Sequence, residues 1–399
     1  GSVGHSAFMG NTHYEQLLDI KTVTLRKENM LWLQLPKKVY YKTGCTPVAL
    51  REMKEVYNFK RAFIITDSTL YQLGACDAII NQLRDMGIET AEFFDIRVDP
   101  QIQDAMKGLP KMHEFEPDVI IAVGGGSAID TAKIMWIMYE NPEEGFLDMA
   151  TTFLDIRKRI RFFPQMGKKA KLVCIPTTAG TGSECTPFTI ISDANTGMKW
   201  PLIGYEMMPE MAIVDADNMM KLPPRATQAS GYDVLTHAVE AYIGRFYNTR
   251  ETRSLARQAV KAIFQYLPTA CADGTDLRAR QELLTASYRA GFAFTRASVG
   301  NVHALAHTLG GLYDVPHGRA NAVLLPVMLE AYGPAACKRL AELADVLGLC
   351  PAGSRAEKAR AFIDAIYRMN RALGIPERFP CIRPEDLPQM AAWAEAEAN

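Results

Sequence analysis

The sequence predicts an α/β domain with a mainly parallel sheet, followed by an all-helical domain. Over residues 36–222, short β-branched runs such as RAFIITD, PDVIIAVGGG and KLVCIP alternate with helical stretches. Strands that alternate with helices are typical of a parallel sheet covered on both faces. After residue 222 the strand pattern stops, and segments such as ETRSLARQAVKAIFQYL follow one another as helices. The boundary is therefore predicted at residues 222–223.

Length and composition agree with two domains and restrict the partners. The chain has 399 residues and a formal net charge of −1, with 48% hydrophobic and 22% charged residues. A chain of this length is more than one hydrophobic core usually supports, so two domains are expected, with residues 1–35 as a linker or docking arm. The near-neutral charge gives no reason to expect a nucleic-acid partner. No apolar run approaches the roughly 20 residues that span a bilayer, so no membrane partner is expected.

The cysteines indicate the redox compartment. The 8 cysteines are scattered and include no CxxC pair. Such cysteines are typical of reduced core residues rather than of a disulfide framework or a zinc site. A cytoplasmic location is therefore expected.

The segment DVIIAVGGGSAID combines a buried strand, a glycine loop and the start of a helix. Glycines let the backbone approach a phosphate closely, and the helix N-terminus offers free N–H groups and the positive end of its dipole. The candidate residues are Gly124, Gly125, Gly126 and Ser127. The order GxGxxG is absent, so this is not the Rossmann fingerprint.

Two further loops follow predicted strands. Asp67 ends the strand RAFIITD, where its carboxylate can accept both hydroxyls of a ribose and would repel a 2′-phosphate, which favours NAD over NADP. The loop PTTAGTGSECTPF offers hydroxyls to a nicotinamide and its phosphates from Thr177, Thr178, Thr181 and Thr186. Ligands of α/β folds bind at the carboxyl ends of the strands. The three loops together predict a dinucleotide site in residues 36–222.

The helical half contains a cluster of imidazoles. Asp233 and His237 lie four residues apart, as do His303 and His307, and His317 follows. Residues four apart share one helix face. A carboxylate buried beside an imidazole in apolar sequence is costly unless it has a partner. A divalent metal ion is such a partner, so residues 223–399 are predicted to bind one.

The predicted local structure gives each ligand a position. The helix that carries His303 is expected to end at Gly310–Gly311, with His317 in the loop that follows. Imidazole nitrogens with one carboxylate oxygen suit Fe(II) or Zn(II), and the ligand types do not choose between the two metals. A metal-dependent oxygenase with two histidines and one carboxylate is an alternative, but it would need no dinucleotide loop.

Four motifs resemble one family over nearly the whole chain, from about residue 20 onward. GGGSAID, PTTAGTGSE, GYDVLTHAVEAY and NVHALAHTLGGLYDVPHG together resemble the iron-containing alcohol dehydrogenases. Within that family the sequence is most similar to the branch formed by the C-terminal alcohol dehydrogenase halves of bifunctional aldehyde–alcohol dehydrogenases. KTVTLRKENMLWLQLPKKVYY resembles the segment that joins the two halves of those enzymes.

The resemblance implies a role for each candidate residue. Asp233, His237, His303 and His317 would be the metal ligands, while His307 would lie near the nicotinamide and substrate. His307 is then the candidate for proton transfer. The implied site lies in the cleft between the two domains. The implied contacts to NAD(H) are Asp67, the Gly124–Ser127 loop, Thr177, Thr178, Thr181, Thr186 and Lys199.

The resemblance also implies an activity and partners. The expected reaction is the reversible, iron-dependent reduction of a short aldehyde, acetaldehyde, to ethanol by NADH. The expected partners are the aldehyde dehydrogenase half of a full-length enzyme and further copies, as a homo-oligomer or filament. Two alternatives stay open: a polyol or lactaldehyde dehydrogenase of the same family, and a module whose main role is filament assembly.

Overall fold

The structure is a computed structural model that describes residues 34–97, 100–143, 164–192, 199–244 and 247–398. The predicted linker arm over residues 1–35 lies outside these ranges except for its last two residues. The remaining chain divides between Leu222 and Pro223 into two compact units.

The first unit contains a six-stranded sheet in which every neighbouring pair of strands is parallel. Its strands are β1 Lys38–Tyr41, β2 Arg61–Ile65, β3 Glu89–Phe93, β4 Val119–Gly124, β5 Lys171–Pro176 and β8 Met211–Val214. Its helices are α1 Thr46–Glu55, α2 Ser68–Gln72, α3 Asp77–Asp85, α4 Ile102–Phe115 and α5 Gly126–Glu140. A separate antiparallel hairpin, β6 Phe188–Ser192 with β7 Lys199–Ile203, was not expected from the sequence.

The central strands are apolar throughout because both faces of the sheet are covered. In β4, Ile120 and Ala122 pack into one core with α4 and α5, while Val119, Ile121 and Val123 pack into another with α1 and α3. Strands with two buried faces read as continuous hydrophobic runs, as this one does.

The strand order places two of the predicted loops at the same point of the sheet. The order is β1-β8-β5-β4-β2-β3, so successive crossovers turn in opposite directions on either side of the β4–β2 pair. Such a switch point leaves a crevice outside the carboxyl ends of the strands, where open α/β sheets bind ligands. Asp67 follows β2, and the Gly124–Ser127 loop follows β4.

The second unit is helical from Pro224 to Ala398 among the residues described. Its helices are α6 Pro224–Ile243, α7 Arg250–Ala272, α8 Leu277–Ala297, α9 Asn301–Tyr313, α10 His317–Tyr332, α11 Pro334–Val346, α12 Arg355–Ala372 and α13 Leu387–Ala398. The predicted fold class, a parallel α/β domain followed by a mainly helical one, is confirmed. Over the described ranges, no helix has both the length and the hydropathy needed to cross a bilayer.

Two local expectations around the histidines were wrong. Helix α9 runs through Gly310–Gly311 and ends at Tyr313, because the left-handed residue that terminates it is Asp314 (φ 53°). His317 is the first residue of helix α10 rather than part of a loop, with the extended Pro316 (φ −56°, ψ 127°) as the residue before it. Proline is suited to that position because it lacks the N–H that a helix start leaves unbonded.

Candidate metal centre and cofactor loops

Asp233 is the centre of a buried cluster on α6. Its side chain is 6% exposed, and its Oδ1 lies 3.9 Å from His237 Nε2, one turn further along the helix. Helix α6 is buried almost all round over this stretch, with Val234, Leu235 and Ala238 fully covered. The apolar surroundings hold the carboxylate and imidazole away from bulk water, where an uncompensated charge is costly.

Two other helices bring imidazoles to the same carboxylate. His303 Nε2 from α9 lies 3.6 Å and His317 Nε2 from α10 lies 3.3 Å from Asp233 Oδ1. The candidate ligand atoms of Asp233, His303 and His317 all lie within 4.8 Å of one another. The His237 ring stacks on the His303 ring with centroids 4.5 Å apart. Residues separated by 84 positions therefore share one site.

The electrostatics of the cluster favour a cation. Burial by itself would raise the pKa of Asp233, but the nearby His237 and His317 outweigh burial and hold it well below its usual value. Burial by itself would lower the pKa of His303, but the carboxylates of Asp233 and Glu240 outweigh burial and raise it from 6.5 to about 9. The cluster thus keeps an ionised carboxylate and attracts positive charge.

The donor set fits a transition-metal ion. His303 Nε2 is buried and makes no hydrogen bond among the described residues, although it faces Asp233. A buried nitrogen without a hydrogen bond needs an explanation, and a metal ligand's role is one. Imidazole nitrogens with a carboxylate oxygen are ligands that Fe(II) and Zn(II) accept.

Sequence reasoning missed two side chains that hold these groups in place. Glu240 Oε2 accepts a hydrogen bond from His303 Nδ1 at 2.6 Å. Asn321 Nδ2 donates to Asp233 Oδ1 at 2.9 Å and lies 3.2 Å from His317 Nε2. Helical spacing puts each on the same face as a candidate ligand, since Glu240 is seven residues after Asp233 and Asn321 is four after His317, but it does not identify the partner on another helix.

His307 lies beside the cluster, one turn after His303 on α9. Its ring stacks on His317 with centroids 5.0 Å apart and lies edge-on to His303 at 6.3 Å. It is partly exposed, unlike His303, whose side chain is 4% exposed.

In the first unit, the glycine loop and the threonine loop are in contact. Thr177 N donates to Gly124 O at 3.0 Å. A β carbon at Gly126 would come within 2.6 Å of Thr181 Cγ2, so only glycine allows this approach. Gly125 precedes α5 with extended backbone, and Gly126 and Ser127 form its first turn. The free N–H groups of this turn suit a phosphate.

The structure describes fewer contacts for the other residues predicted to bind the cofactor. Asp67 is the N-cap of α2, and its Oδ1 accepts from Leu70 N at 2.9 Å. Its position after β2 puts it at the switch point described above. Thr178 lies against Gly125, and Thr186 is 2% exposed. The backbone of Lys199 begins β7, and its side chain lies outside the described part of the structure.

A buried lysine that the sequence did not reveal anchors the threonine loop. Lys133 on α5 is fully buried, and its Nζ donates to the carbonyl oxygens of Ser183, Thr186 and Phe188 at 2.8, 2.7 and 2.7 Å. Asp130, one turn earlier, accepts from Ile190 N at 3.2 Å, and burial raises its pKa to about 6. Three carbonyls bound by one ammonium fix the shape of this loop.

Two features are together typical of a metal-dependent dehydrogenase. They are a parallel sheet with a glycine loop and a cluster of His and Asp side chains on helices. Comparison with protein-family models identifies the family of the chain. Residues 36–216 match the model "Iron-containing alcohol dehydrogenase", and residues 227–399 match "Fe-containing alcohol dehydrogenase family, C-terminal". The chain belongs to the iron-containing alcohol dehydrogenase family. Membership makes it an iron-containing alcohol dehydrogenase, and Asp233, His303 and His317 are candidate ligands for its metal ion.

Individual relatives agree with this membership. The chain is 42% identical to the bifunctional aldehyde-alcohol dehydrogenase of Escherichia coli (strain K12), over 94% of this chain and 44% of that protein. It is 34% identical to the NADPH-dependent butanol dehydrogenase of Clostridium saccharobutylicum, over 87% of this chain and 85% of the relative. The solved alcohol dehydrogenase from Oenococcus oeni superimposes with a TM-score of 0.83 at 30% identity, over 92% and 95% of the two chains. The chain spans less than half the length of the bifunctional relative.

Proposed function

We propose that this chain is the alcohol dehydrogenase module of a bifunctional aldehyde–alcohol dehydrogenase. The observation that carries the proposal is the 42% identity to the Escherichia coli bifunctional enzyme over 94% of the chain. The reaction is the reversible reduction of acetaldehyde to ethanol by NADH, as in ethanol fermentation. The matched relatives do not favour the two alternatives, a polyol or lactaldehyde dehydrogenase and a purely structural filament module.

Asp233, His237, His303 and His317 are the proposed metal ligands. Support comes from the short distances between the Asp233 carboxylate and the three imidazoles, and from the burial of Asp233, His237 and His303. When bound, the ion supplies Lewis-acid polarisation of an aldehyde carbonyl.

The residues of the first unit are proposed to bind NADH. The first turn of α5, beginning at Gly126, holds the pyrophosphate with backbone N–H groups, and the threonine loop supplies hydroxyls beside it. Lys199 completes the proposed contacts. Asp67 accepts the hydroxyls of the adenosine ribose and disfavours the 2′-phosphate of NADP. The cofactor itself carries the hydride, and the protein supplies alignment and charge.

His307 is proposed to return a proton to the alkoxide that forms on reduction. Imidazole is the side chain that gives and takes protons near neutral pH. The partial exposure of His307 and its stacking on His317 support this role, because the proton must come from solvent to the ligand cluster.

The proposed setting follows from the relatives. The other half of the enzyme, an aldehyde dehydrogenase, would supply the aldehyde, and the chain would assemble as a homo-oligomer or filament. A cytoplasmic location is part of this proposal, and the scattered spacing of the 8 cysteines supports it.

Metal analysis combined with cofactor oxidation tests the function. The protein, loaded with Fe(II) or Zn(II), is assayed for NADH oxidation over a panel of short aldehydes and polyol-derived aldehydes, with NADPH as the control cofactor. We expect about one ion per chain and the highest kcat/KM with acetaldehyde and NADH. Fully loaded protein that oxidises NADH with none of the short aldehydes would refute the proposal.

A further inference from the structure

Glu240 is a buried carboxylate that joins two helices of the second unit. It is 4% exposed and lies on α6, three residues after His237. It accepts hydrogen bonds from the backbone N–H groups of Gly300 at 2.9 Å and Val302 at 2.7 Å, at the start of α9. Its third partner is the His303 ring, with Nδ1 at 2.6 Å.

The third bond decides which nitrogen of His303 carries a proton. The Glu240 carboxylate oxygens act as acceptors for the two backbone N–H groups, and Nδ1 is the donor of the third bond. The other nitrogen, Nε2, is the atom that points at Asp233 Oδ1 from 3.6 Å. When one imidazole nitrogen donates to a carboxylate, the other is left to bind a metal, and its basicity increases.

We propose that Glu240 is the positioning residue of the metal centre, holding His303 in the tautomer and orientation in which Nε2 binds the ion. The two backbone hydrogen bonds fix the orientation of the Glu240 side chain, because they connect its carboxylate to the first turn of the helix that carries His303. The inference rests on the proposed metal site and adds to it a residue that does not touch the ion.

The close contact between Glu240 and α9 depends on Gly300. A β carbon at this position would lie 2.9 Å from Glu240 Oε1, closer than real β carbons approach a neighbour. Gly300 therefore offers a second way to displace the carboxylate while keeping its charge.

Glu240→Gln is the main test, because the carboxamide keeps the size of the side chain. It has one acceptor oxygen, so it can accept at most two of the three hydrogen bonds, and in either orientation the negative charge beside His303 is lost. Zn(II) affinity of the metal-free protein is measured by competition with a chromophoric chelator. We expect affinity to fall roughly 10- to 100-fold, while the helical circular dichroism is unchanged.

Two controls separate positioning from general stability. Leu309→Ala loosens the same helix, since Leu309 is 1% exposed in a core with Ala306 and Met390, but it leaves the Glu240 bonds in place. Glu342→Gln removes another carboxylate bound to α6, which accepts from the Tyr242 hydroxyl at 2.7 Å. Both controls should bind Zn(II) within about twofold of wild type, even where Leu309→Ala lowers the melting temperature of the metal-free protein more than Glu240→Gln does.

The outcomes distinguish this inference from the metal site itself. If wild type binds no Zn(II) at the ligand cluster, the metal proposal fails. If wild type binds Zn(II) and Glu240→Gln binds it equally well, or if Leu309→Ala loses as much affinity, the positioning role is wrong and the metal site stands. Should Glu240→Gln not fold, Gly300→Ala decides the question, with weaker Zn(II) binding expected and unchanged binding overturning the inference.

Discussion

Replacing Lys133 with methionine removes an ammonium group while leaving a side chain of similar length. The change leaves the carbonyl oxygens of Ser183, Thr186 and Phe188 without the donor that now lies within 2.8 Å of each. Each hydrogen bond lost from a charged donor costs about 1.5–3 kcal/mol. Part of that cost is offset because methionine avoids the several kcal/mol spent in burying an ammonium. The expected net loss of unfolding free energy is on the order of 3 kcal/mol.

The same substitution should weaken NADH binding, because the loop that carries Thr181 and Thr186 loses its anchor. Urea unfolding followed by circular dichroism gives the stability, and NADH fluorescence titration gives the Kd. Lys171→Met is the matched control, since Lys171 is only partly buried and its Nζ donates to one carbonyl, that of Gly167, at 2.7 Å. The control should lose less than about 1 kcal/mol. If Lys133→Met stays within about 0.5 kcal/mol of wild type and binds NADH normally, the anchoring argument is wrong.

Three further predictions rest on four single substitutions. Burial raises the pKa of Glu184 from 4.5 to about 7, so the folded state keeps a proton that the unfolded chain releases, and stability falls as pH rises through that window. In urea unfolding, the stability of Glu184→Gln should therefore increase relative to that of wild type between pH 5 and pH 8. A difference in stability that does not change with pH would contradict the reasoning. His307→Ala should lower kcat about 10²- to 10⁴-fold with the metal retained, whereas His303→Ala should lose the metal. If metal analysis finds that His307→Ala loses the metal and His303→Ala keeps it, the proton-transfer role of His307 and the ligand role of His303 are both wrong. Asp67→Gly should raise the NADPH to NADH ratio of kcat/KM by roughly tenfold, as loss of about 1.4 kcal/mol of repulsion implies, and an unchanged ratio would refute the role of Asp67.

Much of the fold could be predicted because its patterns are local. The buried strand VIIAVG and the amphipathic helices of the second unit are each set by residues close together in sequence. Helix ends were harder, because Gly310–Gly311 resembles a stop signal and yet α9 continues to Tyr313, with Asp314 as the residue that caps it. The β6–β7 hairpin was missed because its two strands are short and follow a polar loop.

By itself, the sequence determined the fold class and indicated three candidate cofactor loops and the candidate ligands, since helical spacing and strand–loop–helix order express those features directly. Tertiary structure alone decided which side chains hold the candidate ligands and the threonine loop. Glu240 meets His303 across 63 residues, Asn321 meets Asp233 across 88, and Lys133 meets Thr186 across 53. The physical reason is burial: a charged or polar side chain inside the protein must find partners, and the packing of distant helices and loops decides which ones it finds.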